Sequence, residues 1–112
     1  MKIAIYGPEY NERSKTTLFT LAEFLSKKKA HVLFDAAFFD SIVKLSELKI
    51  ETYGFETFEI LDCSYDLLIS VGGDGTILRA ITRVRNLDIP IVGINTGLSL
   101  IHISEPTRRI WI

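Results

Sequence analysis

Three glycines, a carboxylate and a hydroxyl stand together in LLISVGGDGTILRA, residues 67–80, as Gly72, Gly73, Asp74, Gly75 and Thr76. Glycines let a backbone approach a ligand closely and turn its N–H groups toward an anion. A helix behind such a loop adds the positive end of its dipole, so a phosphate is the natural guest. Asp74 is the odd member, because a carboxylate beside a phosphate nest is repulsive unless it has a task. It could hold a divalent metal, or accept a proton from a hydroxyl that attacks a phosphoryl group. Arg79, read as part of the first helical turn, could reach a phosphate or balance Asp74. The structural alternative is a plain Asp-Gly turn, but the doubled glycine between strand and helix favours a site.

Two familiar phosphate patterns fail on spacing. The dinucleotide fingerprint G-x-G-x-x-G starting at Gly73 needs glycine at position 78, where Leu78 stands. The P-loop G-x-x-x-x-G-K-[ST] is suggested by Gly7 and SKTT, yet Ser14 precedes Lys15 and the distance is wrong.

A glycine loop of this kind needs a buried strand before it and a helix after it. Asp66 to Val71 is nearly continuous in Leu67, Leu68, Ile69 and Val71, as in a parallel strand covered on both faces. Thr76 to Val84 reads as the helix. Lys2 to Tyr6, ended by Gly7-Pro8, and His31 to Phe34 are further short strands, and residues 89–94 are the last, with Pro90 near its start. Between them, Leu18, Leu21, Ala22 and Leu25 share one helix face behind Ser14 as N-cap, and Phe38, Ile42 and Leu45 share another behind Asp35. Phe38-Phe39 is core rather than a stacking platform, and Lys27, Lys28 and Lys29 are a solvated helix end rather than a phosphate patch. Gly54 to Leu61 reads as a loop with an edge strand. The alternation implies an α/β fold, a Rossmann-like parallel sheet covered by helices with right-handed crossovers.

Composition sets the wider limits. With 47% hydrophobic and 24% charged residues in 112, the chain is an ordinary globular sequence near the size of one domain. A formal net charge of −1 offers no case for nucleic acid or a membrane surface as partner. The one cysteine, Cys63, excludes an internal disulfide and reads as a buried or inert thiol. MKIAIYG is too short for a signal peptide, and no apolar run approaches the roughly 20 residues of a membrane span. A cytoplasmic protein is expected.

GGDGT at 72–76 followed by GINTG at 93–97, with MKIAIYG at the start, resembles the NAD kinases, and their bacterial form above all. The two motifs together are more specific than the first alone, since lipid kinases and phosphofructokinases carry related glycine–Asp loops. The resemblance covers residues 1–97 and implies the truncated N-terminal α/β domain of a two-domain kinase. It implies transfer of the terminal phosphate of ATP, or of polyphosphate in some members, to the 2′-hydroxyl of NAD's adenosine ribose, with a divalent metal such as Mg. It also implies that Asp74 accepts the hydroxyl proton, that Asp74, Gly75 and Arg79 contact nucleotide, and that Gly72, Gly73 and Thr76 shape the loop. The partners are then NAD and ATP, in a homo-oligomer. Another kinase of the superfamily, acting on a lipid or sugar hydroxyl, and a non-catalytic nucleotide-binding module are the competing classes.

The resemblance stops at Gly97. NAD kinases usually continue there with a basic residue and Leu-Gly-Phe-Leu, and later carry a β-rich domain with an Asn-Glu motif. This chain continues LSLIHISEPTR, residues 98–108, which resembles a translated sequencing adapter: a transposase-adapter end encodes those residues in one frame. Residues 98–112 are therefore expected to be a non-native tail, in which His102, Arg108, Arg109 and Trp111 have no selected role. A sheet truncated at this point is expected to expose an edge.

Overall fold

The computed structural model describes residues 1–96 and, by their backbone, residues 100–105 and 108–111. Its first five strands are β1 (Lys2–Tyr6), β2 (His31–Asp35), β3 (Glu56–Phe58), β4 (Leu67–Gly72) and β5 (Ile91–Asn95). They form a parallel sheet in the order β3-β2-β1-β4-β5. Three helices connect them: α1 (Lys15–Ser26), α2 (Ala36–Leu45) and α3 (Asp74–Val84). The chain winds outward from β1 to β3 and then returns to the other side of β1. That order places the topological switch point between β1 and β4, where open α/β sheets bind their ligands.

Strand alternation sorts the core into two layers. Ile3, Ile5, Val32, Phe34, Ile69 and Val71 pack on one face with Leu18 and Leu25 of α1 and Phe38 and Ile42 of α2. Ala4, Leu33 and Leu68 point the other way and meet Ala80 and Val84 of α3. Each large apolar side chain fully buried this way contributes about 1.5–3 kcal/mol. Phe34 anchors the first layer through ring contacts with Phe38, Phe39 and Phe55, so the aromatic pair of α2 belongs to the core. At the end of β1, a Cβ on Gly7 would lie 2.6 Å from the Phe38 ring, so glycine alone lets α2 approach this strand.

The helix starts depart from expectation in detail. Asp35 caps α2 as the sequence predicts, accepting from the Phe38 N–H at 3.1 Å. Ser14 occupies the N-cap of α1 but makes no side-chain cap. Its hydroxyl donates to the Asn11 carbonyl instead, because a short 3-10 turn over Glu12–Ser14 precedes the helix and Asn11 caps that turn. Helix α3 begins at Asp74, two residues before the expected Thr76, because Gly73 takes the extended N-cap conformation. Leu45, expected on the buried face of α2, is 54% exposed in the last turn. Cys63, expected to be a buried or inert thiol, is exposed in the loop before β4, so the buried alternative falls. The expected edge strand is β3.

Two more strands, β6 (Leu100–Glu105) and β7 (Arg108–Trp111), extend the sheet antiparallel beyond β5. The free edge expected beside residues 91–95 is thus paired. A strand edge offers only backbone N–H and C=O groups, so its pairing asks little of the partner's side chains. Gly97, Leu98 and Ser99 and the side chains of His102, Arg108, Arg109 and Trp111 lie outside the described residues. Among the described residues no helix is long and apolar enough to cross a membrane.

Candidate active site

Strand β4 delivers the glycine loop to the carboxyl edge of the sheet, beside the switch point. Gly72 closes the strand with φ +156°, and a Cβ there would run into the Thr76 hydroxyl and lie 2.9 Å from the Thr76 Cβ. Thr76 is buried at 3% exposure, beneath the loop. Gly73 and Gly75 are exposed, with open space where a Cβ would stand. The Thr76 N–H turns back to the Gly73 carbonyl at 3.1 Å. The N–H groups of Asp74 and Gly75 precede any carbonyl that could accept them within the helix, so the exposed start of α3 is a donor surface for an anion.

Asp74 is exposed in the first turn of α3, yet its carboxylate is tied to another strand. Asn95, the last residue of β5, donates from Nδ2 to Asp74 Oδ1 at 2.8 Å. Among the described residues Oδ2 has no hydrogen-bond partner, so one oxygen is anchored and the other is open to a ligand. Asp74 and Asn95 line a crevice of about 10 Å³ together with Gly72, Gly73 and Gly93. That is room for about one water molecule. A larger groove of about 360 Å³ runs between α1 and Ile94, but Thr16, Thr17, Thr20, Leu21 and Phe24 give it no titratable group. The carboxylate of the glycine loop lines the small crevice and not this groove.

Arg79 is placed differently from expectation. With the helix starting at Asp74 it is the sixth residue and belongs to the second turn. Five steps of about 100° each carry it roughly 140° around the helix from Asp74. Among the described residues it forms no ion pair with that carboxylate, and its exposed guanidinium is left for a group in solution. The partner of Asp74 is an amide from the second motif, to which the sequence reading assigned no role. The available signal was one polar residue closing the apolar strand IVGI.

The profile of the ATP-NAD kinase N-terminal domain matches residues 3–109. The chain belongs to the ATP-NAD kinase N-terminal domain family. It is 44% identical over 97 residues to an NAD kinase of Christiangramia forsetii, covering 87% of this chain and 33% of that protein. It is 39% identical to an NAD kinase of Flavobacterium psychrophilum and 38% identical to one of Bacteroides fragilis, with the same coverage. The chain thus spans about a third of the length of the curated relatives it matches. Both motifs that carried the resemblance fall within the family match, one on each side of the Asp74–Asn95 hydrogen bond.

Proposed function

We propose that this chain is the N-terminal, phosphate-handling part of an NAD kinase, which transfers the terminal phosphate of ATP to the 2′-hydroxyl of NAD's adenosine ribose. The observation that carries the reading is a carboxylate with one oxygen anchored and one open, set in a glycine loop at a helix start. In this reading Gly73, Gly75 and the first N–H groups of α3 receive phosphate oxygens. Asp74 Oδ2 takes the hydroxyl proton as the ribose oxygen bonds to the γ-phosphorus. The bond from that phosphorus to the bridging oxygen of ADP breaks, ADP leaves with the electron pair, and the proton passes from Asp74 to solvent. Arg79 approaches a phosphate from the second turn.

The described residues contain no group of three or more His, Cys, Asp or Glu that could cage a metal. A divalent ion such as Mg, if brought in with the nucleotide, would find Asp74 as the carboxylate of this loop. It would supply neutralisation of phosphate charge. The cytoplasm is the proposed compartment, in keeping with a lone exposed thiol. A homo-oligomer binding NAD and ATP, without nucleic acid or membrane, is the proposed assembly.

The test compares the chain with the full-length protein encoded at its native locus. Supplied with NAD, ATP and magnesium, the full-length protein should form NADP and the 112-residue chain none above background. Asp74→Asn in the full-length protein should lower kcat by about 10²–10⁴-fold, the usual worth of a positioned base. Phosphotransfer left intact by that substitution would remove Asp74 from catalysis and favour a nucleotide-binding module.

A further inference from the structure

Asn95 is an unusual way to end a strand. The four residues before it, Ile91 to Ile94, are apolar or glycine, and the amide itself is buried at 7% exposure. Parallel register sets Asn95 beside Gly72, and the Thr96 N–H donates to the Gly72 carbonyl at 3.1 Å, so β4 and β5 end together. The side chain crosses from this shared end to Asp74, 21 residues away in sequence.

An aspartate at a helix start ordinarily turns its carboxylate onto nearby N–H groups. Asp74 does not: α3 is capped by Gly73 without any side-chain bond, and the carboxylate is held sideways by β5. Only the NH₂ end of an amide can meet a carboxylate, so the orientation of Asn95 follows from its chemistry. A lysine or arginine here would bring a full positive charge that competes with the incoming proton, and a second carboxylate would repel Asp74. A neutral donor fixes the position of one oxygen and leaves the other available.

We infer that Asn95 is the positioning residue of the phosphotransfer, holding Asp74 Oδ1 through its side-chain amide so that Oδ2 takes the acceptor proton. The inference rests on the NAD kinase reading. Asn95 acts through Asp74 and touches no reacting atom.

The experiment uses the full-length protein with Asn95→Ala and Asn95→Asp, following NADP formation at saturating ATP and magnesium while NAD is varied, with a thermal melt of each variant. Loss of positioning lowers kcat by about 10²-fold, the scale of a misplacement of about 1 Å, while KM for NAD stays within about threefold. Asn95→Asp, which keeps the size of the side chain but replaces the donor with a like charge, falls at least as far as Asn95→Ala. A merely space-filling role predicts the opposite order, with the isosteric aspartate close to the parent. Wild-type kcat in Asn95→Ala, or a better enzyme from Asp than from Ala, overturns the inference alone. A parent protein that forms no NADP overturns the kinase reading first. Should Asn95→Ala not melt cooperatively, the volume-preserving Asp variant decides.

Discussion

Arg83 of α3 reaches Asp35 at the end of β2, with Nη1 3.2 Å from Oδ1, while Oδ2 of the same carboxylate caps α2. The guanidinium also lies over the Tyr6 ring, 4.9 Å from its centroid. Helices α2 and α3 lie on opposite faces of the sheet, so this one carboxylate joins both layers at its carboxyl edge.

Substitutions at Asp35 should separate its two tasks. Asp35→Asn keeps an oxygen for the Phe38 N–H and loses the charge pair, a loss of about 1 kcal/mol or less for a partly exposed bridge. Asp35→Ala loses both and should cost about 1–3 kcal/mol. Denaturant unfolding of the two variants measures the difference. Equal losses would show that the cap contributes nothing.

Tyr10 should be better as phenylalanine. Its hydroxyl is buried and finds no hydrogen-bond partner among the described residues. An unmet buried hydroxyl costs about 1–3 kcal/mol, so Tyr10→Phe should raise the melting temperature. Burial first, and then the charges of Glu12 and Glu47, push the Tyr10 phenol above its ordinary value. The unfolded chain therefore gives up this proton first. Stability from Tyr10 is complete below about pH 10 and is lost as pH rises through the higher folded value. Tyr10→Phe should flatten that alkaline fall, with Tyr65, raised mainly by burial, supplying part of what remains. An unchanged alkaline slope in melts between pH 9 and 11 (roughly the tyrosine range) would contradict this.

The loop glycines should divide into one that folding requires and one that only a ligand requires. Gly72→Ala meets Thr76 at a positive φ and should destabilise by about 1–3 kcal/mol. Gly75→Ala meets nothing within 4 Å and lies in a helix, where alanine is favoured by up to about 1 kcal/mol. In the full-length protein Gly75→Ala should leave the melt unchanged or raised while weakening ATP, because its methyl group stands where phosphate would approach. Unchanged ATP affinity by calorimetry would remove Gly75 from the binding surface.

Residues 98–112 are proposed to be foreign to the gene. A read through the native locus should continue from the Gly97 codon into Leu-Gly-Phe-Leu after a basic residue, and later encode an Asn-Glu motif. A locus that encodes Leu98 to Ile112 would refute that and make β6 and β7 native strands.

Much of the fold is legible in local order. Leu67 to Val71 announces a strand covered on both faces, and Asp35 announces the start of α2, because each signal involves neighbours a few residues apart. The misreadings are also local, and each was decided by something outside its own segment. Leu45 keeps helical spacing but lies at a helix end with no layer above it. Ser14 has the right side chain for a cap, yet the preceding turn had already engaged its hydroxyl. Arg79 moved a turn when Gly73 took the cap and α3 began at Asp74.

The site divides in the same way. Residue types and spacing along one stretch are what the proposal of a phosphate loop with a carboxylate in it starts from, since glycine freedom, helix dipole and charge are properties of adjacent residues. Which group would hold that carboxylate was decided by the sheet. Asp74 meets Asn95 only because β4 and β5 pair in parallel with Gly72 beside Asn95, and Asp35 meets Arg83 across 48 residues only because β2 and α3 end at the same edge. Such contacts depend on register and layer, which a linear pattern does not contain, so the chain alone specified the chemistry available and the tertiary structure chose the partners.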